Sequence, residues 1–68
     1  MTKTIYLYKE DDYKTELIEH EPGVWEVFTY VKDEVVNNTG TIDYFPQAEY
    51  DFRLHLDLYY QKTLEEIK

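Results

Sequence analysis

Hydrophobic and polar positions alternate through most of the first half of this 68-residue chain. Thr4-Ile5-Tyr6-Leu7-Tyr8 is rich in β-formers and predicts a strand over residues 4–8, with Ile5 and Leu7 toward a core and Tyr6 and Tyr8 away from it. Glu10-Asp11-Asp12 breaks the pattern as a polar turn. Residues 13–20 predict a second strand with Tyr13, Thr15 and Leu17 on one face, a short helix being the alternative. Glu21-Pro22-Gly23 is a turn, because Pro presets φ and Gly accepts a positive φ. The strongest strand follows over 24–32. Trp25, Val27, Thr29 and Val31 fall on one face, and Glu26, Phe28 and Tyr30 on the other. Bulk on both faces suits a central strand, or one whose outer face is covered. Val35-Val36 begins or extends a strand, Asn37-Asn38-Thr39-Gly40 turns, and residues 41–45 return as the last expected strand.

The period then changes. Residues 46–67 run on from Pro46 without another Pro or a Gly. Phe52 to Leu58 alternates as a strand would, but three features favour a helix. Glu, Leu, Gln, Lys and Ala fill much of the segment. Pro46 suits a first helical position, with Glu49 and Asp51 near the positive end of the dipole. Glu49 and Arg53 form a well-oriented pair four residues apart. At 100° per residue, Ala48, Phe52, Leu56, Tyr59, Thr63 and Ile67 lie within roughly 60° of Phe52 and should face the sheet. Tyr50, Leu54, Leu58 and Gln61 cluster on nearly the opposite side. The expected fold is α+β: an antiparallel meander of three or four strands, then one long C-terminal helix packed on one face. One small domain accounts for residues 1–68.

Composition narrows the chemistry. The chain is 43% hydrophobic and 18% aromatic, too rich in core material for disorder. It holds eight tyrosines, more than a core of this size can enclose. Cysteine is absent, which excludes disulfides and thiolate metal sites and fits a reducing compartment. No apolar leader follows Lys3, and no run approaches the roughly 18 apolar residues of a membrane-spanning helix, so the expected location is cytoplasmic. Serine is absent too, which removes Ser-His-Asp catalysis along with Cys-His catalysis. Gly23 and Gly40 each sit in a turn and cannot build a phosphate loop. His20 and His55 fit no metal-ligand spacing, and Glu10-Asp11-Asp12 lacks the form of a calcium loop. The expectation is no enzyme, no cofactor and no metal.

The net charge is −8 and unevenly placed: residues 10–34 carry nine acids against Lys14 and Lys32, a net of −7. Such a chain should repel nucleic acid and anionic membrane and favour a basic protein partner. Glu10, Asp11, Asp12, Glu16, Glu19 and Glu26 form the candidate acidic surface. Tyr50, Leu54, Leu58 and Gln61 form the candidate interface on the helix. The expected function is a small non-enzymatic protein-binding module that self-associates as a homodimer. The alternative is an acidic inhibitor or nucleic-acid-mimic decoy, of the type phages and mobile elements encode, bound to a basic protein.

Overall fold

Alternation produces the sheet. In a computed structural model, which describes residues 2–67, β1 (Lys3–Glu10), β2 (Tyr13–Glu21), β3 (Val24–Val31) and β4 (Glu34–Asn38) form one antiparallel sheet in the order β1-β2-β3-β4. Helix α1 (Phe45–Tyr60) follows, then a single turn, α2 (Leu64–Ile67). This is the expected α+β meander with a C-terminal helix on one face. Leu17 and Val27 from β2 and β3 meet Ala48, Phe52 and Leu56 of α1 and Leu64 of α2 to form the fully buried core.

Three expectations require correction. First, β1 presents the opposite face. Tyr6 pairs with Leu17 and Tyr8 with Thr15, both on the helix side, and Leu7 is 51% exposed. A bulge at Ile5 shifts the register between Thr4 and Tyr6, so Ile5 and Tyr6 both reach the core. The larger rings suit this edge: Tyr6 packs 5.4 Å from Phe52, and its hydroxyl donates to Glu49 Oε2 at 2.8 Å.

Second, the fourth strand is residues 34–38 rather than 41–45. Only Ile42 of the expected segment pairs, with Trp25, through two backbone hydrogen bonds of 2.7 and 2.8 Å. Gly40 (φ 78°) redirects the chain there, since it must climb from the sheet to the helix layer within a few residues. Phe45 closes that corner edge-on against Trp25, at 5.3 Å.

Third, the helix does not run through 46–67. It stops at Tyr60, where Gln61 adopts the left-handed conformation (φ 57°, ψ 42°). Gln61 N–H donates to the Asp57 carbonyl at 3.1 Å, the 5→1 bond of an αL closure, and Lys62 N–H reaches the Leu56 carbonyl at 3.4 Å. Thr63 then caps α2. Its Oγ1 accepts from Glu66 N–H at 3.3 Å while Glu66 Oε2 accepts from Thr63 N–H at 3.1 Å, the reciprocal pair of a capping box. On a continued helix Leu64 would sit roughly 120° from Phe52, away from the sheet. The break turns it inward, where it is fully buried.

Polar groups also lie beneath α1. Thr15 and Thr29 pair across β2 and β3, their hydroxyls 2.7 Å apart. Thr29 Oγ1 reaches His55 Nδ1 at 2.7 Å, and Thr15 Oγ1 reaches the Tyr60 hydroxyl at 3.0 Å. This chain ties two strands to two points about one and a half turns apart along the helix. Among the described residues no buried side-chain nitrogen or oxygen lacks a hydrogen-bond partner. Each such bond nets only about 1 kcal/mol, but leaving one of these groups unpaired would cost about 1–3 kcal/mol.

Two outcomes test this packing. Leu64→Ala should lower the unfolding free energy by about 2–5 kcal/mol, a large share for so small a domain, and Thr63→Ala by about 1 kcal/mol. Urea titration followed by far-UV circular dichroism measures both, and an unchanged Leu64→Ala midpoint would show that α2 does not hold the core. The second outcome concerns pH. Burial holds the His55 imidazole below its ordinary 6.5, against the opposing pull of Asp51. The folded chain therefore binds fewer protons than the unfolded chain between those two values. This stabilisation is complete above 6.5 and is lost as pH falls through the folded pKa. Urea midpoints across that window should show a step that His55→Leu removes. A step that survives the substitution belongs to another group.

Candidate interaction surface

Because α1 faces the sheet with Ala48, Phe52 and Leu56, its 3.6-residue period turns Tyr50, Leu54 and Leu58 outward. They are 55%, 47% and 67% exposed, one helical turn apart. Gln61, the left-handed residue that ends the helix, is exposed beside them. The four residues expected to share a face are thus brought together. Gln47 lies on the same side one turn earlier, its amide donating to Asp51 Oδ1 at 3.3 Å. Arg53 lies farther round the helix and pairs with Glu65 of α2 at 3.0 Å. Both partners of that pair are well exposed, so it adds little stability.

The six candidate acids are not brought together. Strand alternation sends Glu16 and Glu26 to the sheet face opposite the helix, while Glu19, paired with Lys3 and Trp25, lies on the helix side. Glu10, Asp11 and Asp12 stand at the β1–β2 turn. Three of the six are also engaged within the sheet, Glu10 by the Tyr8 hydroxyl at 2.7 Å. Glu16 accepts from the Tyr30 hydroxyl at 3.0 Å. Glu26, only 7% exposed, binds His20 Nε2 through Oε1 at 2.8 Å and accepts from Asn38 Nδ2 through Oε2 at 2.8 Å. Burial alone would raise the Glu26 pKa, but the bonds from Asn38 and His20 outweigh it and hold the carboxyl below its usual value.

That open sheet face resolves the double bulk of β3. Among the described residues no helix covers it, and its side chains cover one another. Ile18 is 8% exposed, Phe28 stacks on Tyr30 at 6.0 Å, and the Lys14 ammonium lies 4.5 Å above the Tyr30 ring. Leu7 and Val35 remain about half exposed at its two margins. Among the described residues, no group of three or more His, Cys, Asp and Glu side chains is placed to hold a metal ion. The two histidines lie on opposite faces of the sheet, His20 with Glu26 and His55 with Thr29. No described helix is long and apolar enough to cross a membrane.

A second cluster has no local signal in the sequence. Tyr8 of β1, Tyr13 of β2, and Tyr59 and Tyr60 of α1 meet at the end of the sheet where the helix stops. Tyr60 stands edge-on to Tyr8 at 4.9 Å, and Tyr13 lies 6.1 Å from Tyr60 and 6.0 Å from Tyr59. Tyr8 donates to Glu10 Oε2 at 2.7 Å, a bond that pushes its hydroxyl pKa up to about 12. Sequence separations above 40 residues hide such a group until topology is known. Its only sequence trace is the surplus of tyrosine over core volume. Compared with protein-family models, with curated proteins and with solved structures, the chain matches none.

Proposed function

We propose that this chain is a non-enzymatic protein-interaction module that pairs with a second copy of itself through the outward face of α1. The observation that carries this reading is the row of Tyr50, Leu54 and Leu58, each about half exposed or more and uncovered by the other described residues. Antiparallel pairing centred on Leu54 would set Tyr50 against the Leu58 of the second copy and Gln47 against its Gln61. One surface would then complement itself, as a two-fold interface requires. Asp51 and Asp57 fall on opposite flanks of the row, about 60° from Leu54, so carboxylates would rim the seam rather than enter it. The lack of serine and cysteine, and the use of His55 inside a closed hydrogen-bond chain, favour binding over catalysis. Of the six candidate acids, Glu16 and Glu26 lie on one face of the sheet, Glu19 on the other, and Glu10, Asp11 and Asp12 at the β1–β2 turn. The six therefore do not form the single surface that a phosphate-imitating decoy would need.

Three apolar anchors per copy amount to less than the roughly 800 Å² per partner of a standard interface, so the pair should be weak, with Kd in the micromolar range or above. Sedimentation equilibrium over a concentration series should show a monomer–dimer equilibrium. Leu54→Asp should weaken it at least roughly tenfold, about 1.4 kcal/mol, while leaving the far-UV spectrum and urea midpoint nearly unchanged. A strict monomer at concentrations near about 1 mM, or a Leu54→Asp variant that associates as before, would sink the proposal.

A further inference from the structure

The tyrosine cluster stands where the fold concentrates negative charge. The β1–β2 and β3–β4 turns open at the same end of the sheet and touch, Lys32 N–H donating to the Asp12 carbonyl at 2.9 Å. This sets Glu10, Asp11 and Asp12 beside Asp33 and Glu34. Glu66 of α2 stands near enough to act on the Tyr8 hydroxyl, and Glu10 near enough to act on that of Tyr60. Helix α1 ends here as well, with no basic residue in its last turn, so the negative end of its dipole adds to the field. Lys32 and Lys62 lie toward this end but are outnumbered by these acids. Lys9 and Lys14 pair on the sheet's opposite face, where Lys14 covers Tyr30. Tyr13 is 37% exposed, and Tyr8, Tyr59 and Tyr60 are half-buried, so ring surface remains in contact with solvent.

We infer that this aromatic end is a docking surface for a cationic, extended segment of another protein. Tyrosine faces attract arginine and lysine heads, and the surrounding carboxylates supply the complementary charge. Aromatic surfaces also suit extended, proline-rich backbone, whose order costs little entropy on binding. Tyrosine itself gives large contact area at low entropic cost. The same charges disfavour nucleic acid and anionic membrane. The cluster lies at the end of the domain rather than on the Tyr50–Leu58 row, so this inference does not depend on self-association.

The probe is a fluorescent peptide of alternating arginine and proline, with a glutamate–proline peptide as control, followed by anisotropy. The basic peptide should bind and the acidic one should not, and added salt should weaken the complex. Tyr13→Ala, and separately Asp11→Asn with Asp12→Asn, should each weaken binding roughly tenfold. Asp11 already holds a positive φ of 54°, which asparagine tolerates, so that pair should keep the turn intact. Glu21→Gln with Asp43→Asn removes the same charge at the other end of the domain and should change binding little. The inference is overturned if the basic peptide fails to bind, if Tyr13→Ala binds as the parent does, or if the two charge-removing pairs weaken binding equally. Loss of binding in Leu54→Asp would overturn it too, by moving the site to the helix row.

Discussion

One helix can cover one face of a sheet, and the rest of this structure follows from that limit. Helix α1 is about 24 Å long and 10 Å across. Four strands at about 4.8 Å spacing are wider than it can roof. It packs on β2 and β3 and leaves both edges short of cover. Aromatic side chains fill the gaps because they reach farthest. Tyr6 and Tyr8 lean in from β1 to meet Phe52 and Tyr60, and Trp25 meets Phe45 at the opposite corner. The bulge at Ile5 serves the same end, turning the larger residues of β1 toward the helix. Leu64, brought in by the chain reversal at Gln61, completes the cover. The uncovered face is managed by lateral contacts instead, with Glu26 shared between His20 and Asn38, and Tyr30 between Glu16, Phe28 and Lys14.

The hydroxyl pair at the sheet centre has a different role. Valine at Thr15 and Thr29 would bury comparable volume without polar cost. Threonine supplies two hydroxyls that can be satisfied only by each other and by groups from α1. His55 and Tyr60 provide them, and a helix shifted along its axis would leave these groups unpaired under low dielectric. The apolar core resists such a slide less sharply, because Leu56 and Phe52 can exchange neighbours at modest cost. The polar chain thus fixes where along the sheet the helix lies. It thereby also fixes which residues α1 points outward and where its tyrosines meet β1 and β2.

Much of this was legible in the sequence wherever one period governed a segment. The hairpin around Pro22-Gly23, the two faces of β3 and the outward row on α1 all follow from spacing alone. Departures came where a local rule met a long-range demand. Alternation in β1 gave the wrong face because a one-residue bulge reverses every side chain on one side of it, and nothing in Thr4-Ile5-Tyr6 marks it. Residues 41–45 have strand propensity, but the climb into the helix layer leaves room for a single bridge at Ile42. The stop at Tyr60 had a readable trace, since Thr63-Leu64-Glu65-Glu66 matches a capping box. High helix propensity and the lack of a Gly or Pro obscured it. The acids looked like one surface because they are close in sequence. A strand places neighbours on opposite faces, so closeness along the chain works against a shared surface there.

Salt would act in opposite senses on the two proposed surfaces. Two copies of a chain carrying −8 repel one another at long range, so screening should ease their approach through Tyr50, Leu54 and Leu58. A cationic segment at the tyrosine end would be drawn by the same field, and screening would loosen it. If both proposals hold, low ionic strength would favour the monomer with a basic partner, and high ionic strength would favour the pair. The apolar row needs this protection from its own charge only because it is small. A larger hydrophobic seam would overcome the repulsion and fix one oligomeric state, whereas three anchors would leave the proposed association responsive to ionic conditions. On these two proposals the excess of acid would do more than keep the chain dispersed: it would set which of two modest surfaces is occupied.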